Sequence, residues 1–377
     1  MNPSKNAPVI NKSLACSGCG AQLHFAPGGH QLKCDYCGCV NDIPAGASNA
    51  DISNNFDSFV KQNNALLHSA DAGAVKCVSC GSITDLAQNI IAQQCPFCQS
   101  PLVLDLRHHR GYIRPHSILP FTLNREDAAA AFHNWAKHLS VFKPDDLVQS
   151  INNSSITLLQ GWYLPHFIFD AQVVSQYGGS RGEYYWTTET YVDSNKQTKT
   201  RRKRHTAWAS VSGAVTDSFK NMLIPATQSL NPKTLDKLGP WDYEAMVPFD
   251  ECYLSGFGAE SYQLSPEDGR RATETEIAAD VKRSILRDIG GDEQKIAGLH
   301  TEYVESSVEY TLLPVWISSF NYNNKTYQYT INANTGEVIG NYPLSRYKIA
   351  FACILIAGII IAIILYNNPG VYSHHVK

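Results

Sequence analysis

The sequence predicts an α+β protein: two N-terminal four-cysteine zinc ribbons, a mixed, largely antiparallel β-rich region with an internal helix–strand–strand repeat, and one C-terminal transmembrane helix. Three observations carry this expectation. Four C-x-x-C pairs lie near the N-terminus, long alternating stretches are interrupted by two helical patterns, and 18 residues near the C-terminus run without a charge. A chain of 377 residues accommodates two or three domains. At 44% hydrophobic and 17% charged it is not a disordered chain. A formal net charge of −3 excludes a global field drawing the protein to nucleic acid or membrane, so any such attraction is local. The opening residues MNPSKNAPVINKS hold no apolar run, so no secretory signal is expected.

The cysteines give the sharpest signal. Eight of 11 form the pairs Cys16/Cys19, Cys34/Cys37, Cys77/Cys80 and Cys95/Cys98, and each cysteine of the first set recurs 61 positions later. Two thiolates on a tight turn supply half of a tetrahedral shell, and a hairpin of 14 intervening residues returns the other half. Gly20, Gly38 and Gly81 follow three of the pairs and suit the left-handed turn of such knuckles, whereas Gln99 departs from the pattern. Disulfides would need an oxidising compartment, and redox C-x-x-C motifs occur singly beside a βαβ unit. Two structural Zn²⁺ ions are therefore expected, one per ribbon, with no open coordination position for catalysis. Cys39 is expected as a bystander, with replacement of Cys37 as the alternative, and His24 and His30 as solvated loop residues.

The expected organisation follows in chain order. Zinc ribbon 1 covers 14–40, a polar linker with a short amphipathic helix 41–76, and zinc ribbon 2 77–100. The α+β region covers 101–345, where Asn124 and Ser265 read as N-caps and Ile277, Val281, Ile285 and Ile289 line one helix face. Leu164-Pro165-His166-Phe167-Ile168 lies 149 positions before Leu313-Pro314-Val315-Trp316-Ile317, which motivates the repeat. Tyrosine-rich strands are expected around Tyr177–Tyr191 and Tyr322–Tyr329, and a hairpin turn at Asn334-Thr335-Gly336-Glu337.

Residues 349–366 lack any charge and, at about 1.5 Å per residue, span roughly 27 Å, close to the bilayer hydrocarbon thickness. Arg346 and Lys348 on the near side, with a short tail at 367–377, predict a single-pass protein of the inner membrane with its bulk in the cytoplasm.

Apparent catalytic motifs fail on context. Gly178-Gly179-Ser180-Arg181-Gly182 matches G-x-S-x-G, but an alternating strand follows where a nucleophile elbow needs a helix. A glycine-rich hairpin turn is expected instead. No glycine precedes a lysine anywhere, so a phosphate-cradling ATP motif is missing and no catalytic activity is expected. The run Lys199-Thr200-Arg201-Arg202-Lys203-Arg204-His205 reads as the returning arm of a hairpin, its charges alternating onto both faces. Its expected role is protection of a sheet edge, with contact to anionic lipid or an acidic partner as the alternative.

Several segments are shared with a known group. The double C-x-x-C ribbon, Gly161-Trp162-Tyr163-Leu164-Pro165, Arg181-Gly182-Glu183-Tyr184-Tyr185, Pro225-Ala226-Thr227-Gln228-Ser229-Leu230, Arg287-Asp288-Ile289-Gly290-Gly291-Asp292-Glu293-Gln294, Leu313-Pro314-Val315-Trp316-Ile317-Ser318 and Asn332-Ala333-Asn334-Thr335-Gly336-Glu337-Val338 carry the resemblance. Across about residues 14–345 the chain resembles bacterial TFIIB-type zinc-ribbon proteins, some labelled primosomal protein N′ (replication factor Y)-like helicases. The resemblance implies a membrane platform protein whose relatives are encoded beside phage-shock and flotillin-like (SPFH) genes, hence protein partners of that kind. The expected function is a membrane-tethered zinc-ribbon adaptor or scaffold recruiting cytosolic partners. The alternative is a zinc-ribbon nucleic-acid-binding protein linked to replication, supported only by the local basic run.

Overall fold

Alternating side chains put most of the middle of the chain into strands, and the strands are long. The computed structural model describes residues 9–10, 14–43, 56–67, 74–77, 83–85, 90–95, 100–104, 113–151, 159–192, 194, 197–235 and 237–367. In chain order the elements that matter are β1 (Leu23–Ala26), β2 (Gln31–Cys34), β3 (Val40–Asp42), α1 (Phe56–Leu67), β4 (Ile90–Gln94), β5 (Pro101–Val103), β6 (Ser117–Ile118) and α2 (Arg125–Lys137). They continue with β7 (Gln160–Val192), β8 (Thr198–Pro225), β9 (Gly258–Glu260), α3 (Pro266–Ile289), β10 (Glu293–Tyr322), β11 (Lys325–Asn332), β12 (Val338–Gly340) and α4 (Arg346–Asn367). The protein is a mixed α+β structure dominated by sheet.

At the centre β7 and β10 run antiparallel, with β8 outside β7 and β11 outside β10. Leu164 stands opposite Leu313, so the two similar pentapeptides start from the same point of the ladder and run from it in opposite directions. The short strands cross between halves: β6 pairs in parallel with β10 (Ser117 with Thr311), and β9 in parallel with β7 (Gly258 with Trp162). Each half thus supplies a helix, a long strand and a return strand, and each lends a short strand to the other.

The helices start where their caps place them. The Asn124 side chain accepts from the Asp127 N–H, and Ser265 Oγ accepts from the Asp268 N–H, satisfying donors that a first turn leaves open. α3 lays Ile277, Val281, Ile285 and Ile289 on Ala171, Val173 and Tyr177 of β7. Each such buried isoleucine stabilises by about 1.5–3 kcal/mol. α2 packs on the opposite half, where the Phe132 ring stacks 3.7 Å from Tyr329. α1, expected as a helix inside a linker, also docks: Phe56 and Phe59 are buried against Phe169 and Phe167.

Two expectations are corrected. Gly178–Gly182 is no turn, because β7 passes straight through it. A Cβ on Gly179 would lie 2.3 Å from the Lys295 carbonyl oxygen, so the glycine permits close approach of β10. Tyr322–Tyr329 is not one strand: β10 ends at Tyr322, and Asn323 and Asn324, at φ 47° and 59°, turn the chain into β11. That Asn-Asn pair was the available signal, since asparagine tolerates the left-handed region. The turn at Asn334–Glu337 forms as expected, with Gly336 at φ 76°.

α4 is uncovered, Ile354 being 69% exposed. Its start is tied to the α+β region: the Ser345 N–H donates to the Phe142 carbonyl (2.7 Å), and Lys348 Nζ donates to the Lys143 carbonyl (2.9 Å) and pairs with Asp145. Nearby, Tyr322 OH donates to Asp146 (2.8 Å).

Candidate metal centre

Each knuckle of the first module is made by two backbone bonds. The Cys16 N–H donates to the Ala21 carbonyl (2.7 Å) and the Gly20 N–H to the Cys16 carbonyl (2.9 Å). Cys34 repeats both, to Cys39 and from Gly38, at 2.9 Å each. Closing so tight a loop needs positive φ at the residue after the second cysteine, and Gly20 and Gly38 adopt 76° and 74°. β1 and β2 pair Leu23 with Cys34, which brings the two knuckles together.

The sulfur atoms of Cys16, Cys19, Cys34 and Cys37 all lie within 4.8 Å of one another. Cys16 Sγ is 3.6 Å from Cys37 Sγ, and Cys19 Sγ 3.5 Å from Cys34 Sγ. Bonds of 2.3 Å to a tetrahedral ion set ligand sulfurs about 3.8 Å apart, so the group needs almost no adjustment to hold one. Cys39 lies outside this group of four.

The electrostatics suit a cation. The Gly18 N–H donates to Cys16 Sγ (3.3 Å), and this bond leads in pulling the Cys16 thiol down to about 6. The Cys37 N–H does the same for Cys34, which is also lowered. Cys37 is held down by the Cys39 N–H, yet its neighbour thiols and desolvation push it up overall. Four thiols this close resist carrying four negative charges alone, and a divalent ion removes that conflict.

The module is bolted to the long sheet. The Phe25 N–H donates to the Ser255 carbonyl (3.0 Å), Ser255 Oγ to the Leu23 carbonyl (2.6 Å), and the Gly28 N–H to the Phe121 carbonyl (2.9 Å). His30 Nδ1 and Tyr253 OH share a hydrogen bond of 3.0 Å, and His24 Nδ1 lies 2.7 Å from the Asp35 carboxylate. His30 is an exposed turn residue, as expected, and also reaches Tyr253 of the sheet, whereas His24 is corrected: it lies half-buried on β1 beside Asp35 of the same module. Leu23, Phe25, Leu32 and Cys34 belong to one continuous core with Phe121 and Phe257.

Of the second set, Cys77 and Cys95 are each 1% exposed, and Cys80 and Cys98 lie outside the described residues, as do Gly81 and Gln99. The Cys95 N–H donates to the Ser100 carbonyl (2.8 Å), the same five-residue knuckle bond seen at Cys16 and Cys34. β4 and β5 flank this knuckle as β2 and β3 flank the one at Cys34.

No family model matches the chain. It is 27% identical over 351 residues to YdjG, an uncharacterized protein of Bacillus subtilis (strain 168), covering 90% of this chain and 92% of that protein.

Proposed function

We propose that the protein is a membrane-tethered adaptor in which two structural zinc ribbons and a β-rich body recruit cytosolic protein partners. The observation that carries the reading is the thiol tetrahedron of Cys16, Cys19, Cys34 and Cys37. Four protein ligands close the shell, leaving no position for water or substrate, so the ion stabilises the fold and performs no chemistry. An all-sulfur tetrahedron selects zinc or an iron–sulfur centre among common ions, and zinc needs no further ligand. The matching knuckle bond at Cys95 supports a second site of Cys77, Cys80, Cys95 and Cys98.

Arg346–Ile364, with a mean hydropathy of 2.6, is long and apolar enough to cross a membrane. Nineteen helical residues rise about 28 Å, matching the hydrocarbon core. Arg346 and Lys348 at its entry support an orientation with the body in the cytoplasm and the tail across the inner membrane. The resemblance to zinc-ribbon platform proteins supports phage-shock or flotillin-like partners.

Membrane fractionation tests the reading. The full chain should resist carbonate extraction, while a chain ending at Ser345 should be released. Tags at Met1 and after Lys377 should report from opposite sides. Both ends on one side would refute the span.

A further inference from the structure

Among the described residues, β7 and β8 continue alone as a two-stranded ribbon past Gly182, where β10 begins opposite at Glu293. From Glu183 to Val192 it runs about 33 Å at 3.3 Å per residue. β8 pairs with β7 and with no other described strand along all of its 28 residues. Its outer side therefore presents alternate backbone N–H and C=O groups as a template for another strand.

Folded proteins defend such edges with charge, proline, bulges or a cover. From Thr206 to Thr216 this edge has neither charge nor proline, and its register with β7 is unbroken. Ala207, Ala209, Ser210, Ser212 and Ala214 are exposed and too small to overhang it. Immediately before it come four consecutive cations, Arg201 to Arg204. On one face Arg202 lies over Trp186 (5.3 Å) and Arg204 over Tyr184 (4.1 Å), aromatic rings rather than carboxylates. On the other face Arg201 and Lys203 share the single carboxylate of Glu189 at 3.2 and 2.9 Å. The strand thus offers open backbone bonds and, at one end, surplus positive charge.

We propose that the outer edge of β8 accepts an extended acidic segment of a partner protein as an added strand, its carboxylates opposite Arg201–Arg204. This rests on the adaptor reading and names its recruiting surface. Strand addition uses both features, backbone bonds for affinity and facing side chains for selection. A lipid surface uses them poorly. The cations lie on both faces of the ribbon, and a planar bilayer meets one. The cations also lie far along the strand from the anchor: Gln160 pairs with Ile317 near the α4 attachment, while Thr188, opposite Arg202, is 28 residues further along β7, about 90 Å of strand. Duplex nucleic acid would engage the cations and leave the uncharged Thr206–Thr216 edge without a role.

The test uses the full chain in detergent micelles and three probes: a synthetic peptide alternating glutamate and threonine, a duplex DNA oligonucleotide, and phosphatidylglycerol vesicles. The acidic peptide should bind best and slow amide exchange across Thr206–Thr216 by about tenfold or more. Replacing Arg201, Arg202, Lys203 and Arg204 by Ser should weaken it about tenfold at low salt and less at high salt. Ser210→Glu with Ser212→Glu, two exposed side chains, should also weaken it while α3 exchange stays unchanged. Failure of the peptide to bind, binding without protection of Thr206–Thr216, unaltered binding by either variant, or tighter binding of DNA or vesicles overturns the proposal. Zinc content and carbonate resistance of the same preparations report on the adaptor reading separately.

Discussion

His166 should set part of the acid limit of the fold, and replacing it isolates the effect. The side chain is 1% exposed on β7, and its Nδ1 lies 3.0 Å from the Leu164 carbonyl. Burial pushes its pKa down to about 4, opposed only in part by that carbonyl, against 6.5 for a free histidine. Below pH 6.5 the unfolded chain takes up a proton at this residue and the folded chain does not, so stability falls as pH falls until both forms are charged near 4. Integrated from pH 7 to 5, the loss is about 2 kcal/mol. The assay is denaturant unfolding of the full chain in mild detergent, followed by tryptophan fluorescence, for wild type and His166→Gln at pH 7, 6 and 5. The variant should be less stable at pH 7, and the gap should narrow by about 2 kcal/mol at pH 5. Contributions of the thiolates and of His116, which burial also lowers, cancel in the difference. Parallel curves for the two proteins would refute the reasoning.

Four further outcomes are expected. Purified protein should hold close to two zinc ions per chain, and Cys16→Ser with Cys77→Ser should remove both. Because Cys16 and Cys34 share a core with Phe25 and Phe257, chelation should lower the unfolding midpoint of the whole body; metal analysis and a denaturation scan check this. Gly161→Ala should cost about 1–3 kcal/mol by chemical denaturation, since the new Cβ would lie 2.5 Å from the Phe257 ring. Phe132→Ala, which removes the ring stacked on Tyr329, should cost about 3–5 kcal/mol in the same assay.

What could be read from the sequence alone is chemistry completed within a few residues. The C-x-x-C pairs with their trailing glycines gave the Cys16, Cys19, Cys34 and Cys37 knuckles because each is one backbone loop. The caps at Asn124 and Ser265 and the Gly336 turn are local for the same reason. The apolar run after Arg346 was equally plain, since composition and length define it. The tertiary structure decided everything whose partner is distant in the chain. Gly179 read as a turn residue because nothing nearby shows that the Lys295 carbonyl presses on it. His24 read as a solvated loop residue because the loop at Gly256 reaches it only through the fold. The meaning of Arg201–Arg204 depends on β10 beginning at the level of Gly182 and on no described strand covering β8. A cap or a knuckle is one local energy minimum, whereas a strand's edge, face and neighbours are properties of the assembled sheet.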